Sequence, residues 1–327
     1  MLDIVNIVAT NNQLKPKIGV SACLLGAKVR FDGGHKHDRF LTDLFGRFVE
    51  WVTVCPEVEI GMGVPRETVR LVGTSLQPKM IAEKTGRDWT GEMQKFSAQR
   101  ITQLAGQDLS GYIFKKSSPS CGMERVKIYH KAGPPSRLGR GLFAAAIINR
   151  FPLLPVEEEG RLNDLGLREN FIERVFAFRR WQEALAASPS VRTLIDFHTQ
   201  HKFFVLAHSE HHYRRLGRIA AMAKKSAIAE CCDEYGRIFM EGLARHATPK
   251  THSNVLDHLM GYFSKQLSAP ERQELLGVIH DYRRQLVPLI VPITLIRHYT
   301  KKYSIEYLEG QVYLEPSPKE LMLRNHV

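Results

Sequence analysis

Three times in the first 125 residues a short apolar run stops at a cysteine. Lys17-Ile18-Gly19-Val20-Ser21-Ala22-Cys23 is the first, and Val52-Thr53-Val54-Cys55 the second. Gly111-Tyr112-Ile113-Phe114 is the third, reaching Cys121 through Lys115-Lys116-Ser117-Ser118-Pro119-Ser120. Runs this short, β-branched or aromatic and bounded by Gly, Pro or Ser, predict strands. Between them, apolar positions recur at helical spacing over Asp38–Glu50, with Phe40, Leu41, Leu44, Phe45 and Phe48. The same spacing recurs over Asp88–Ala105, Leu142–Arg150 and Glu169–Leu185. Glu67–Gly73 and Leu153–Val156 predict two further strands, and Pro134–Gly141 a basic flexible loop. Strands alternating with helices predict an α/β fold with a Rossmann-like, mostly parallel sheet flanked by helices.

The pattern changes after Ala186-Ala187-Ser188-Pro189-Ser190. From Val191 to about His298 it is helical, with turns near Thr248-Pro249 and Ser268-Ala269-Pro270. Tyr303–Leu308 and Gln311–Pro316 alternate enough to predict a terminal hairpin, and residues 1–16 a loosely tied terminus. The expected organisation is an α/β domain over 1–188 and an all-α domain over 189–327.

Composition changes this picture in three ways. Lys plus Arg number 46 against 34 for Asp plus Glu, an excess of +12 spread over both halves, which suits a polyanionic partner. No apolar run is long enough for a membrane span, and no basic segment followed by an apolar core precedes Ile18, so a cytoplasmic protein is expected. Five cysteines in 327 residues make no disulfide scaffold, and reduced thiols are expected.

In an open parallel sheet the carboxyl ends of the strands meet where such folds bind ligands, so Cys23, Cys55 and Cys121 are expected to converge there. Their separations, 32 and 66 residues, exclude the close spacings of zinc ribbons and bacterial ferredoxins. Three gathered thiolates can still hold an iron–sulfur cluster with one iron left open. Glu57, two residues after Cys55, is tethered to that place, although alone it reads equally as a solvated loop carboxylate. Ser118, alone, reads as a turn residue bonding its own backbone.

Ser-Ala-Cys-Leu-Leu-Gly, Arg-Phe-Asp-Gly-Gly, Cys-Pro-Glu-Val-Glu-Ile-Gly-Met-Gly-Val-Pro-Arg-Glu and Ser-Pro-Ser-Cys-Gly, in that order over residues 15–165, resemble the thiouracil desulfurase (TudS) family. Residues 190–310 resemble the YbgA-like helical domain, on His-Lys-Phe, the Tyr213–Gly217 run and the Tyr282–Pro292 stretch. The fused arrangement is similar to bacterial tRNA 4-thiouridine desulfidases. The resemblance implies that Cys23, Cys55 and Cys121 hold a [4Fe-4S] cluster whose open iron takes the substrate sulfur. It also implies that Glu57 is the catalytic carboxylate, that Ser118, ahead of Ser117 and Ser120, is the catalytic serine, and that C=S becomes C=O without redox change. Asp32 and Arg66 are candidate substrate contacts, with surface ion pairs as the competing reading.

In the helical half, Lys202, Arg214, Arg215 and Arg218, interleaved with Phe203, His212 and Tyr213, are candidates for a tRNA phosphate backbone and its bases. Eleven of the 14 histidines lie beyond residue 180, and His198, His201, His208, His211 and His212 fall near one helical stripe. That stripe reads as packed or RNA-facing rather than metal-binding. Cys231 and Cys232, about 100° apart on a helix, read as core. The leading expectation is a desulfidase acting on 4-thiouridine in tRNA, with free thiouracil as the alternative substrate. Two other classes stand beside it: an RNA-binding module with a structural zinc on three cysteines and one histidine, and a cluster-dependent hydro-lyase.

Overall fold

A computed structural model describes residues 15–186 and 189–326, so most of the expected loose terminus, and two residues of the expected domain boundary, lie outside the described residues. The first half carries β1 (Lys17–Ser21), β2 (Glu50–Val54), the single turn α1 (Pro56–Glu59), β3 (Val69–Gly73), β4 (Pro78–Ala82) and α2 (Thr90–Ala105). It continues with β5 (Leu109–Phe114), β6 (Val126–Tyr129), β7 (Ser136–Gly139), α3 (Leu142–Arg150), β8 (Val156–Glu158) and α4 (Leu165–Ala186). The second half is helical: α5 (Val191–His208), α6 (Glu210–Met222), α7 (Ile228–Leu243), α8 (Pro249–Gly261), α9 (Ala269–Arg283), α10 (Ile290–Lys302) and the short α11 (Glu306–Glu309).

β2, β1, β5 and β8 form a wholly parallel sheet in that order, as expected for an α/β fold. β5 is buried along its whole length. Tyr112 and Phe114 pack on the α2–α3 side, and Ile113 on the α4 side, the two-sided burial of a central parallel strand. The Tyr112 ring lies directly on Gly19 of β1, where a Cβ would come within 2.1 Å of it, so only glycine fits.

The expected pattern needs correcting in four places. A second sheet, β4-β3-β6-β7 with mixed pairing, takes up Glu67–Gly73, and β7 turns the expected flexible loop into an edge strand. The segment expected as a helix over Asp38–Glu50 is a π turn over Phe40–Leu44 and a 3₁₀ turn over Phe45–Arg47. It still buries Leu41 and Phe45, while Gly46 lies against the Leu41 carbonyl and the Trp51 ring. The strand expected at Leu153–Val156 starts only at Val156, after Pro155, which has no N–H to give. No terminal hairpin forms among the described residues: Leu308, Tyr313 and Leu314 are buried by short turns packed on the helices, and Gln311 bonds the Thr199 carbonyl.

α4 serves both halves. Phe171, Ile172 and Val175 pack with the sheet, whereas Ala177 and Trp181 belong to the helical core, Trp181 stacking on Tyr235. The C-terminal segment returns to the sheet side with Leu321 and Leu323, and Arg324 pairs with Glu173 of α4 in full burial.

Candidate functional site

The parallel order brings the ends of β1, β2 and β5 to one edge. Cys23 sits in the 3₁₀ turn after β1, Cys55 caps α1 after β2, and Cys121 closes the serine loop after β5. All three line one cavity of about 430 Å³, with Glu57, Arg66, Ser117, Ser118 and Ser120 in its wall. The three thiols are free, Cys23 and Cys121 buried and Cys55 half-buried.

Local hydrogen bonding holds each segment. The Lys115 amide donates to Ser21 Oγ at 3.0 Å, tying the end of β5 to that of β1. The first amides of α3, which have no partner within the helix, donate instead to the serine loop: Leu142 N to the Pro119 carbonyl, and Phe143 N and Ala144 N to that of Ser120. Gly141 makes this docking possible, since a Cβ there would lie 2.5 Å from the Ser120 carbonyl. From the other side, Glu158 accepts the Met123 amide at 2.8 Å, and Glu159 accepts the Lys116 amide at 2.7 Å and Lys115 Nζ at 2.5 Å. The buried run Glu157–Glu159 therefore pins the loop that carries Cys121, a role the sequence hinted at only through three carboxylates ending a buried strand.

Glu57 is fixed from two directions. Arg66 donates Nε to its Oε2 at 2.9 Å and Nη2 to the same oxygen, while Arg66 Nη1 holds the carbonyls of Val29 and Gly63. The side chain of Arg66 is only 5% exposed, so this is a buried pair and not a surface one. Ser120 Oγ donates to Glu57 Oε1 at 2.6 Å, and Ser118 Oγ lies 3.4 Å from that oxygen and 2.9 Å from Ser120 Oγ. Ser118 Oγ also accepts the amides of Ser120 and Cys121, as a turn serine does. Ser117 lines the cavity from a left-handed backbone, φ 60°. Asp32 is half exposed, pairs with Arg30 and accepts the Gly34 amide, and does not line the cavity. Sequence reasoning missed the tie between Arg66 and Glu57 and that between Ser120 and Glu57; neither is visible without the fold.

Burial pushes the Cys23 thiol up to about 11, against the opposing pull of Lys115, and raises those of Cys55 and Cys121 as well. Unaided, these thiols are protonated at neutral pH, and a bound metal centre would take their protons' place. Soft sulfur donors suit iron, and among the described residues no three His, Cys, Asp or Glu side chains converge on a single-ion position. The three thiols share one cavity wall, and their soft donor chemistry is what fits an iron–sulfur group there.

In the helical half His201 and His208 of the histidine stripe are buried, His198 and His212 are half-buried, and His211 is exposed. His201 bonds the Phe197 carbonyl, His208 the Arg245 carbonyl and His198 the Tyr235 hydroxyl, while His212 bonds Ser209. Lys202 lies 4.9 Å from the ring centres of Phe203 and Tyr307. Arg214 pairs with Glu210, Arg215 stands 3.8 Å from Glu234, and Arg218 is exposed. None of these four cations lines the cysteine cavity.

A parallel sheet that collects three thiols, a carboxylate and hydroxyls at one edge, followed by a helical domain, defines a class that the comparisons make specific. Residues 18–159 match the 2-thiouracil desulfurase family, and residues 202–318 match a family described as protein of unknown function (DUF1722). The chain belongs to the YbgA family and carries a 2-thiouracil desulfurase domain at its front. It is 33% identical over 153 residues to the Escherichia coli protein called uncharacterized protein YbgA, a match spanning 46% of this chain and 90% of that protein. It is 29% identical over 108 residues to uncharacterized protein YbbK of Bacillus subtilis, covering 32% of this chain and 71% of that one. A solved structure described as [4Fe-4S]-dependent thiouracil desulfidase TudS is 30% identical, covering 47% of this chain and 97% of its own, with a TM-score of 0.37. No helix among the described residues is long and apolar enough to cross a membrane.

Proposed function

We propose that the protein removes sulfur from 4-thiouridine in tRNA, replacing C=S by C=O with water as the oxygen donor. The observation that carries this reading is the placing of Cys23, Cys55 and Cys121 around one cavity with Glu57 in its wall. The three cysteines would hold a [4Fe-4S] cluster. Bound there, the cluster would supply an open iron as a Lewis acid for a soft sulfur atom.

The rest falls to the chain's own groups. Glu57 takes a proton from the water that adds to the thiocarbonyl carbon and returns it to the departing sulfur, which leaves as hydrosulfide while the added hydroxyl releases its own proton to solvent as C=O forms. Arg66 holds this carboxylate in one orientation. Ser118 bonds the substrate ring or relays the proton, either directly to Glu57 or through Ser120. The domains expected over 1–188 and 189–327 divide the work: the first performs the chemistry, and the basic helices α5 and α6 of the second hold the tRNA, through Lys202, Arg214, Arg215 and Arg218.

The test is an anaerobic incubation of cluster-loaded protein with tRNA that contains 4-thiouridine. The near-ultraviolet absorbance of the thiobase should disappear as one sulfide is released per base. Thiolated tRNA left intact while free 4-thiouracil is consumed would transfer the reading to the free base, and no sulfide from either would end it.

A further inference from the structure

We propose that the mouth of the cysteine cavity is itself a docking surface for an RNA strand, with Phe31 as a platform for a base and Lys36 and Lys116 as phosphate contacts. The inference rests on the reading that the cavity receives a thiolated base.

Phe31 is a large aromatic side chain left 39% exposed on the wall of that cavity. Its loop is rigid. Gly33 turns it with φ 73°, Gly33 N bonds the Arg30 carbonyl at 2.9 Å, and Asp32 accepts the Gly34 amide. The loop is fastened on one side through Lys36 N to the Cys23 carbonyl, and on the other through Arg66 N to the Phe31 carbonyl, both at 2.9 Å. The ring is therefore presented by the same backbone that positions Cys23 and the Glu57–Arg66 pair. Arg30 lies 5.3 Å from the ring centre and adds a guanidinium to the platform.

Charge selects the partner. Most cations in the cavity wall have a carboxylate: Arg66 has Glu57, Lys115 has Glu159 and Arg30 has Asp32. Lys36 and Lys116 line the same cavity from two different loops, are exposed, and have no carboxylate partner among the described residues. An uncharged free base offers these lysines nothing and needs no platform outside the cavity. A base within a strand arrives with neighbouring bases to stack and a phosphate on either side.

The test is binding, read by fluorescence anisotropy of a short labelled RNA containing one 4-thiouridine, with the full chain at several salt concentrations. Phe31→Ala should weaken binding roughly tenfold or more, and Phe31→Tyr should restore it. Lys36→Ala combined with Lys116→Ala should flatten the salt dependence by about 1.4 in log–log slope, two phosphates at about 0.7 each for a single strand. Unlabelled 4-thiouridine 5′-monophosphate should compete far less well than the unlabelled RNA. Wild-type affinity in Phe31→Ala, an unchanged slope in the lysine double variant, or equal competition by the monophosphate would each overturn the docking surface. Turnover of free 4-thiouracil by a wild type that binds no RNA would overturn it too, and would leave the desulfuration chemistry standing. RNA binding lost in Phe31→Ala by a protein that releases no sulfide from any thiobase would support the surface and remove the chemistry.

Discussion

The two halves of the molecule bury different kinds of polar group around their cavities. In the sheet half, three thiols, Glu57 and the Ser117–Ser120 loop are held firmly and yet face a hole. In the helical half the buried polar groups are charged or imidazole pairs: Glu173 takes Arg324 and His208, and His252 bonds the Tyr313 hydroxyl, with Glu173, His208, His252 and Arg324 lining a cavity of about 280 Å³. Both arrangements are costly unless partnered, and both leave groups open to a cavity: three thiols in the first, and Glu169 Oε2, which has no hydrogen bond, in the second. Histidines crowd the half that reads as scaffold and RNA support, whereas the proposed reaction centre rests on cysteines spread over about 100 residues.

The largest effect that would break this comparison comes from the thiols. Cys55→Ser should abolish bound iron and desulfuration together, and retention of both would show that Cys55 does not ligate. Glu57→Ala comes next: turnover should fall about 10²–10⁴-fold while iron content holds, as for loss of a general base. Ser120→Ala, which removes the 2.6 Å bond to that carboxylate, should cost roughly 10- to 100-fold in turnover, the worth of a hydrogen bond to a charged group. Equal rates in wild type and Ser120→Ala would mean that Glu57 needs no hydroxyl to orient it.

In the other half, breaking the buried Arg324–Glu173 pair should act on stability. Arg324→Leu leaves Glu173 without its main partner and should cost about 3–5 kcal/mol in denaturant unfolding. The smallest effect is a pH slope. Burial holds His198 down to about 4 and both His201 and His252 down to about 3, so the unfolded chain takes up their protons first as pH falls below 6.5. Glu169, raised to about 8 by burial beside Glu173, works in the opposite sense between 8 and 4.5. The net is a loss of stability from pH 6.5 towards 4.5, on the order of 1–3 kcal/mol per unit. An unfolding midpoint that stays level across that window would show these histidines to be hydrated.

Much of the sheet half was legible beforehand, because its strands are short apolar runs that stop at Pro, Gly or Ser, and three of them stop at cysteine. The second sheet was not, since β7 is a four-residue edge strand of mixed polarity, Ser136-Arg137-Leu138-Gly139, that reads as loop. Tyr307, Leu308, Tyr313 and Leu314 looked like strand residues, but Leu308, Tyr313 and Leu314 found burial against helices through single turns. Glu57 was picked out by its place after Cys55, yet its partners Arg66 and Ser120 lie nine and 63 residues away, Arg66 meeting it across the loop before β3 and Ser120 through the parallel order of the strands. The inward turn of His198, His201 and His208 was equally hidden, because helical spacing gives a stripe but not the side that is covered.

The most direct measurement of the central claim counts metal and thiols in one anaerobic sample. Protein reconstituted with iron and sulfide is digested after alkylation, and the modified cysteines are compared with those of the metal-free chain. About four irons per chain, with Cys23, Cys55 and Cys121 protected together and released together by a chelator, is the predicted result. A single zinc ion, or three thiols that alkylate independently of one another and of the iron content, would contradict it.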